Sequence, residues 1–361
     1  MIAEPPAAVS SACRVAMVDP VRDVRWDVFV DSHPQGMIFH RSEWASVLIE
    51  AYGYEPRYHV LETDAGVITA AWPAMLVRSR LTGTRLVTMP FSDHCSPLVR
   101  DDHEGRMLLD SVLVDARENV AARVELRGWP ESLSAPNVLV SAHGYVRHVV
   151  DLTPGRDMLL KGLSENARRS VKRAEKNGVT TRFAETPADF DLFLALNRKL
   201  RRRHGMLPQP VRFFHAIRRN LIERGMGSIL LAERAGVPLA ALLLLRHRDV
   251  TLDKYAVNDP SLLEYRGSHL AMWKAIEAEA ARGARWYDMG RSDATAVSLH
   301  RFKEQWGAAM IDAPYYYHPA PGGQNTADPA GFKKTILELF ARVAPNPIYD
   351  AAGKLVYRHL G

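Results

Sequence analysis

Hydrophobic positions along the chain come in short runs that alternate with turn residues, a pattern typical of strands and short helices. Residues 58–62 and 67–77 are two such runs, and the turn Asp64-Ala65-Gly66 between them predicts a β-hairpin. Residues 228–233 and 237–246 repeat the pattern around a second Ala-Gly-Val turn. The two hairpins suggest an internal repeat.

The elements that follow each hairpin also share one order, in which a strand, a helix and a further strand succeed one another. The first half predicts strands at residues 85–89, 122–127 and 145–150 and a helix at 104–117. The second half predicts strands at residues 250–257, 286–289 and 315–317 and helices at 269–282 and 299–306. We therefore expect an α/β fold of two lobes, each built on a mixed (α+β) sheet.

A helical stretch connects the two halves, and a helical tail is expected to follow them. Residues 159–176 place small and apolar side chains on one stripe and the charged residues Arg168 and Arg169 on the opposite face. Residues 319–328 are rich in Pro, Gly and Asn and predict a linker. Residues 329–343 predict an amphipathic helix, which we expect to pack on the body or on a partner.

Composition places the chain among globular proteins of about two domains. It has 361 residues, of which 47% are hydrophobic and 24% charged, so a disordered chain is disfavoured. The two cysteines, Cys13 and Cys95, have no CxxC or Cys/His spacing, which disfavours a disulfide framework or a structural zinc site. The longest apolar run, residues 237–245, is too short to cross a bilayer, and the N-terminus lacks signal-peptide features. A cytoplasmic location is expected.

The charge balance indicates an anionic partner without choosing one. The net charge is +6 and the isoelectric point is about 9.3. This balance is compatible with CoA, a nucleotide-linked precursor, tRNA or peripheral contact with an acidic membrane. We expect no DNA partner. His40 and His94 are isolated histidines without metal-ligand spacing, so no metal is expected.

The densest cluster of unusual residues lies near the end of the second lobe. A predicted strand ends at Met289, Gly290 permits a sharp exit, and a short helix then carries Phe302, Lys303 and Trp306. Sites in α/β sheets commonly form where strands end and helices begin. The structural alternative is that Phe302 and Trp306 belong to the core and that Lys303 is solvated.

These residues resemble a known family. The motifs are Asp288-Met289-Gly290-Arg291-Ser292, Phe302-Lys303, Trp306-Gly307-Ala308, the three tyrosines at 315–317, the basic helix from Asn166-Ala167-Arg168-Arg169 to Gly178, and Arg203-His204-Gly205. In this order they resemble FemAB-like proteins, which are tandem GNAT-fold acyltransferases close to the BioF2-like acetyltransferase group. The likeness spans residues 38–318. It implies GNAT-like lobes at residues 14–150 and 151–318, followed by a linker and helical tail at 319–361.

The resemblance implies an N-acyltransferase. The donor would be acyl-CoA or an aminoacyl-tRNA, neither tightly bound, and the acceptor an amine of a nucleotide- or lipid-linked cell-envelope, exopolysaccharide or peptidoglycan precursor. The family's Phe-Lys motif falls on Phe302 and Lys303, and a cation there would stabilise the tetrahedral oxyanion of aminolysis. Asp288 is the candidate general base, with a structural pairing to Arg291 as its alternative.

The resemblance also implies binding residues. Substrate binding would involve Arg203, His204, Tyr255, Arg291, Arg168 and Arg169. For the basic residues the alternative is a solvated helix face; for Tyr255 it is a half-buried strand aromatic. The stretch Arg266-Gly267-Ser268 stands where GNAT enzymes bind the pyrophosphate of CoA, although it carries a single glycine.

Two other classes of function stay open at this level. One is a non-catalytic binding protein derived from such a transferase, which the single-glycine phosphate loop favours and the Phe302-Lys303 pair disfavours. The other is a nucleic-acid binder, suggested by the basic helices, whose affinity would fall steeply with salt. The oligomeric state is not predicted.

Overall fold

A computed structural model describes residues 13–141, 144–319 and 338–360 of the chain. The elements of the first half are β1 (Cys13–Val18), α1 (Arg25–Ser32), α2 (Ser42–Tyr52), β2 (Glu55–Thr63), β3 (Ile68–Val77), β4 (Arg85–Val87), α3 (Asp102–Glu118), β5 (Arg123–Leu126), β6 (Val140–Ser141) and β7 (Tyr145–Asp151). Helix α3 begins where the Asp101 side chain accepts the backbone N–H groups of His103 and Glu104.

The second half adds the remaining elements. They are α4 (Arg156–Gly162), α5 (Glu165–Lys176), β8 (Val179–Phe183), α6 (Pro187–Arg203), α7 (Val211–Ile217), β9 (Gly227–Arg234), β10 (Val237–His247), β11 (Val250–Asn258), α8 (Gly267–Ala281), β12 (Trp286–Asp293), α9 (Val297–Glu304), β13 (Ala309–Asp312), β14 (Tyr316–His318) and a C-terminal helix (Asn346–Tyr357). Helix α6 begins at a capping box formed by Thr186 and Asp189, with Pro187 in its first turn.

The strands form two seven-stranded sheets of the same design. The first sheet has the order β1-β2-β3-β4-β5-β14-β6, and the second has the order β8-β9-β10-β11-β12-β7-β13. Each sheet contains a pair of neighbouring parallel strands that are connected by a helix. Helix α3 connects β4 to β5 in the first sheet, and α8 connects β11 to β12 in the second. The predicted α/β fold of two repeated lobes is confirmed.

The two lobes exchange one strand each. Strand β7, predicted as the last strand of the first lobe, lies between β12 and β13 of the second sheet. Strand β14, predicted for the second lobe, lies between β5 and β6 of the first sheet. Both expected sheet assignments are therefore corrected. Hydrophobic periodicity identifies a strand and its buried face but carries no information on which sheet completes its hydrogen bonds. The predicted boundary at residues 150 and 151 falls at the end of β7.

The second sheet is buried on both faces, which explains the continuous apolar run of β10. On one face Leu242 and Leu244 belong to a cluster with Trp273 of α8. On the other face Leu243 belongs to a cluster that also contains Trp44 of the first lobe. One core therefore runs through the contact between the lobes.

The C-terminal helix packs on the body. Tyr349 donates a hydrogen bond to the carbonyl of Met206 at 2.7 Å, and Asp350 pairs with Arg198 of α6 at 2.9 Å. Residues 338–343 are also helical. Most of the predicted linker, and residues 329–337 of the predicted amphipathic helix, lie outside the described residues.

The strand exchange predicts that the lobes do not fold independently. We expect two co-expressed fragments, one ending at residue 153 and one starting at residue 154, to associate because each supplies a middle strand of the other's sheet. Purification through a tag on one fragment should recover both, with a cooperative thermal transition by circular dichroism. A first fragment that folds alone, with the stability it has in the pair, would contradict this expectation.

Candidate active site

The strands β11 and β12 diverge towards their carboxyl ends. They pair in parallel at three positions, from Val250 opposite Trp286 to Leu252 opposite Asp288. Both strands continue well beyond the last of these pairs. The carboxyl ends of parallel strands are common binding positions in α/β sheets. The divergence therefore creates an opening in the middle of the second sheet.

Two irregularities in the strands shape this opening. In β11, Tyr255 lies opposite Leu243 and Asp253 opposite Leu244, so Lys254 is the extra residue of a β-bulge. In β12, Gly290 adopts a left-handed conformation with φ of 71°, and a Cβ atom there would lie 3.3 Å from the carbonyl oxygen of Asp253. Glycine is favoured at this position by both its conformation and the close approach.

Lys303 reaches the opening from helix α9. Its Nζ donates a hydrogen bond to the carbonyl oxygen of Gly290 at 2.7 Å, and the residue is 6% exposed. Burial lowers the pKa of Lys303, while the carboxylates of Asp253, Asp288 and Asp93 oppose this effect. The solvated interpretation of Lys303 is therefore wrong.

Phe302 and Trp306 fix the helix that carries Lys303. Both rings contact His269 of α8, at centroid distances of 5.5 and 6.0 Å. Trp306 belongs to the buried cluster under α8, and Phe302 packs against that cluster. Their position agrees with the structural alternative for these two aromatics.

Asp288 is held from two sides at the opening. One carboxylate oxygen accepts the backbone N–H of Gly290 at 2.8 Å, and the other accepts Nη1 of Arg147 at 3.0 Å. Burial raises the pKa of Asp288, and Arg147 opposes this rise. The ion-pair partner of Asp288 is thus Arg147 of the exchanged strand β7, and not Arg291 as the sequence alternative had it.

Arg291 contacts aromatic rings instead. Its guanidinium lies 4.0 Å from the ring centroid of Tyr145 and 4.9 Å from that of Tyr315. Such stacking is a known role of arginine. The pairing with Asp288 could not be decided from the sequence because Arg147 comes from a strand that was expected in the other lobe.

Asp253 is a second buried carboxyl group at the opening. It lies directly opposite Leu244, so its side chain shares the sheet face that α8 covers. Burial raises the pKa of Asp253 from its ordinary value of 3.8 to about 7, and the nearby Lys303 opposes this rise. The sequence signal for this residue is an acidic side chain within a predicted strand.

Lys254 joins the opening to the first lobe. Its Nζ donates to the carbonyl oxygen of Phe91 at 2.7 Å and to Asp93 at 2.8 Å. The ammonium group also lies 5.1 Å from the ring centroid of Phe39. Phe91 has a positive φ of 62°, which is unusual for a bulky residue. These contacts bring a first-lobe carboxylate to the second-lobe site.

His148 lies on the α9 side of the opening. It is fully buried, and neither ring nitrogen has a hydrogen-bond partner among the described residues. Burial lowers its pKa to about 4, and the charges of Lys303 and His300 act in the same direction. A buried polar group of this kind is unusual outside binding sites. A histidine on the apolar face of a predicted strand was the available sequence signal.

A cavity of about 530 Å³ lies on the other face of the second sheet, between the lobes. Met37, Phe39 and Asp93 of the first lobe line it together with Arg147, Trp286 and Asp288 of the second sheet. We call it the interlobe cavity. Asp288 therefore faces the cavity, whereas Asp253 faces α8.

The other predicted substrate-binding residues do not gather at the opening. Tyr255 donates a hydrogen bond to Gln209 at 2.8 Å, and Arg203 reaches the carbonyl oxygen of Pro260 at 3.2 Å. His204 is exposed, Arg168 reaches the carbonyl oxygen of Lys161, and Arg169 pairs with Glu165 on the same helix. Arg169 is thus exposed, as in the solvated alternative, whereas Arg168 is half-buried.

The predicted donor-binding residues form the start of α8. Gly267 opens the helix so close to β10 that a Cβ atom would lie 2.6 Å from the Cβ of Leu239. Arg266 precedes it in a left-handed conformation, and its buried Nε has no hydrogen-bond partner among the described residues. The first N–H groups of a helix lack intrahelical acceptors, so Gly267 and Ser268 present donors suited to an anion.

The fold and the second lobe define the class of the protein. Residues 161–304 match the family model of the GNAT acetyltransferase domain. This part of the chain is a GNAT acetyltransferase domain, and the predicted N-acyltransferase class is confirmed. No curated protein has significant sequence similarity to the chain.

Solved structures confirm the tandem arrangement. The crystal structure of FemX is 16% identical with a TM-score of 0.64, covering 81% of this chain and 94% of its own. A tandem GNAT protein from the clavulanic acid biosynthesis pathway is 12% identical with a TM-score of 0.54, covering 86% and 99%. The C-terminal domain of a putative lysylphosphatidylglycerol synthetase from Agrobacterium fabrum is 15% identical with a TM-score of 0.54, covering 91% and 95%. The chain has the FemAB-like tandem GNAT fold.

The described residues contain neither a membrane-spanning helix nor a cluster of metal ligands. No helix in the described ranges has the length and hydropathy of a membrane span. Among the same residues, no group of three or more His, Cys, Asp or Glu side chains is placed to hold a metal ion.

The raised pKa of Asp253 predicts a pH-dependent effect on stability. The unfolded carboxyl loses its proton near pH 4, but the folded one keeps it to about pH 7, so Asp253 destabilises the fold increasingly across this window. Each unit of difference between the folded and unfolded pKa values of Asp253 corresponds to about 1.4 kcal/mol. The loss of unfolding free energy therefore has an upper limit of roughly 4 kcal/mol. Asp253→Asn should therefore gain unfolding free energy, relative to the wild type, as pH rises from 4 to 7.

Urea unfolding at several pH values measures this effect. The exposed Asp312 of β13 carries the same Asn substitution as a control. The expectation is contradicted if the difference in unfolding free energy between Asp253→Asn and the wild type stays constant from pH 4 to pH 8. Asp253 would then be ionised in the folded protein already at low pH.

Proposed function

We propose that the chain transfers an acyl group from acyl-CoA to a primary amine at the opening between β11 and β12. The observation that carries the proposal is the group of buried ionisable side chains around this opening. Lys303, Asp253 and Asp288 lie close enough to shift one another's pKa values, in a domain of the acetyltransferase family. Such shifts are characteristic of catalytic sites.

The donor is proposed to enter on the α8 side. The N-terminus of α8 would bind its phosphates together with Arg266 Nε, which has no hydrogen-bond partner in the described part of the chain. The acyl thioester would then lie in the opening, where Lys303 supplies a cation. The predicted roles of Arg266, Gly267 and Ser268 belong to this proposal.

The acceptor is proposed to approach from the opposite face, through the interlobe cavity. Its nitrogen attacks the thioester carbonyl carbon, and the C–N bond forms as the carbonyl oxygen becomes an oxyanion near the Lys303 ammonium. The C–S bond then breaks as the amine proton passes to Asp288, and CoA leaves as the thiolate, which takes up a proton from solvent. Asp288 suits this role because it faces the cavity and burial raises its pKa.

The finer identity of donor and acceptor is not fixed by the fold. FemX and lysylphosphatidylglycerol synthetase share this fold, and so does a protein of clavulanic acid biosynthesis. Four finer points stay predictions. They are aminoacyl-tRNA as the donor, a cell-envelope, exopolysaccharide or peptidoglycan precursor as the acceptor, peripheral contact with a membrane, and a cytoplasmic location. We favour acyl-CoA because the start of α8 offers an anion site beside the opening.

A non-catalytic binding protein is the alternative function. The single glycine at the start of α8 favours it, because phosphate-binding loops are usually rich in glycine. The buried cation of Lys303 disfavours it, because burying a charge is costly and a binding protein gains nothing from this one.

Replacement of Lys303 tests the proposed chemistry. Lys303→Ala removes the cation beside the developing oxyanion, so kcat should fall by about 10² to 10³-fold. The assay follows release of the CoA thiol from acetyl-CoA with a panel of primary amines. Arg301→Ala, an exposed neighbour on the same helix, is the matched control. If Lys303→Ala keeps wild-type turnover with an intact circular dichroism spectrum, the mechanism is wrong.

Replacement of Arg266 tests the donor site. Loss of a charged hydrogen bond costs about 1.5–3 kcal/mol, so Arg266→Ala should weaken CoA binding by roughly ten- to a hundredfold. Isothermal titration calorimetry with CoA measures this directly. Arg282→Ala, at the other end of α8, should bind CoA as the wild type does. Unchanged CoA affinity in Arg266→Ala would place the donor elsewhere.

A further inference from the structure

The interlobe cavity has walls that are mainly apolar. Met37 and Ile38 of the first lobe face Val149, Leu252, Trp286 and Ile311 of the second sheet across it. Apolar surface of this kind gains free energy when a ligand removes it from water. At about 530 Å³ the cavity has the size of a typical small-molecule site.

The cavity has an excess of one negative charge. Among the described residues that line it, the carboxylates are Asp93, Asp288 and Glu131, and the one permanent cation is Arg147. Arg147 pairs with Asp288 at 3.0 Å and Lys254 pairs with Asp93 at 2.8 Å, which leaves the charge of Glu131 in excess. His94 and His247 also line the cavity, and burial lowers the pKa of both imidazoles. They therefore add no positive charge near neutral pH. This acidic lining stands out in a chain with a net charge of +6.

The cavity is unsuited to a phosphate group. Its guanidinium, Arg147, is already engaged by Asp288 at 3.0 Å. A phosphate placed there would face three carboxylates, and like charges at close range repel. Arg168 and Arg169, two of the basic residues predicted to bind the substrate, lie instead on α5, where Arg168 is half-buried and Arg169 is exposed.

We infer that the interlobe cavity binds a primary amine carried on an apolar aryl or alkyl body, without phosphate. This inference rests on the proposed function, since it names the acceptor class of the same site. The ammonium group lies at the inner end beside Asp93 and Asp288, and the apolar body lies along Trp286 and Ile311. The ammonium releases one proton to solvent before attack, and Asp288 accepts the second proton as the amide forms.

The test measures binding without a donor, so that it is independent of turnover. The probes are 4-phenylbutylamine, its neutral counterpart 4-phenylbutanol and its anionic counterpart 4-phenylbutanoate, titrated into the full chain by calorimetry. We expect the amine to bind at least tenfold more tightly than either counterpart. Equal or tighter binding of the carboxylate would overturn the inference, as would no amine binding at millimolar concentration.

Two variants locate the amine in the cavity. Ala309 lines the cavity from the exposed edge strand β13, so Ala309→Trp should reduce amine affinity at least tenfold. Met310→Trp, one position along on the opposite face of the strand, should bind as the wild type does. Ile311→Lys introduces a cation into the cavity and should reverse the preference from amine to carboxylate. Unchanged amine affinity in both cavity variants would overturn the inference.

Activity measurements keep the two proposals distinguishable. If the amine binds and Ala309→Trp prevents it, but no acyl group is transferred from acetyl-CoA, the cavity assignment stands and the proposed function fails. If a UDP-linked muropeptide is acylated instead, and Ala309→Trp acylates it equally well, the proposed acyl transfer stands, but both the acceptor route through the cavity and the cavity assignment fail.

Discussion

The exchange of strands β7 and β14 is the constraint on which the rest of the structure depends. A strand in the middle of a sheet must satisfy hydrogen bonds on both edges, and each lobe obtains its sixth strand from the other half of the chain. The exchange fixes the lobes against each other and closes one core between them. It also brings Arg147 and His148 of β7 to the opening in the second sheet. The other strands of that sheet do not supply these two side chains.

The opening combines several features that cost stability. Asp253, Asp288 and Lys303 are buried ionisable groups, and His148 is a buried imidazole without a hydrogen-bond partner among the described residues. Burial of such groups is unfavourable unless they are paired, and partial mutual compensation is visible in the opposing effects on their pKa values. Local cost of this kind is common at functional sites and is offset by the cores on both sides of the sheet.

The two faces of the second sheet have different chemistry. Helix α8 begins on one side with backbone donors and Arg266, which suit an anion. The interlobe cavity on the other side is apolar and acidic, which suits a cation with an apolar body. A transferase needs its two substrates to meet without competing for one pocket. The opening between β11 and β12 lies between these two faces of the sheet.

The sequence by itself determined the repeated α/β pattern, the hairpins, the helices and the resemblance that pointed to Lys303 and Asp288. These features are local, since periodicity, caps and motif spacing are read within a few turns of chain. Only the tertiary structure decided which sheet β7 and β14 complete, that Arg147 and not Arg291 pairs with Asp288, and that Asp93 and Lys254 link the lobes. Each of these depends on contacts between residues far apart in sequence, where hydrophobic pattern carries no information on the partner.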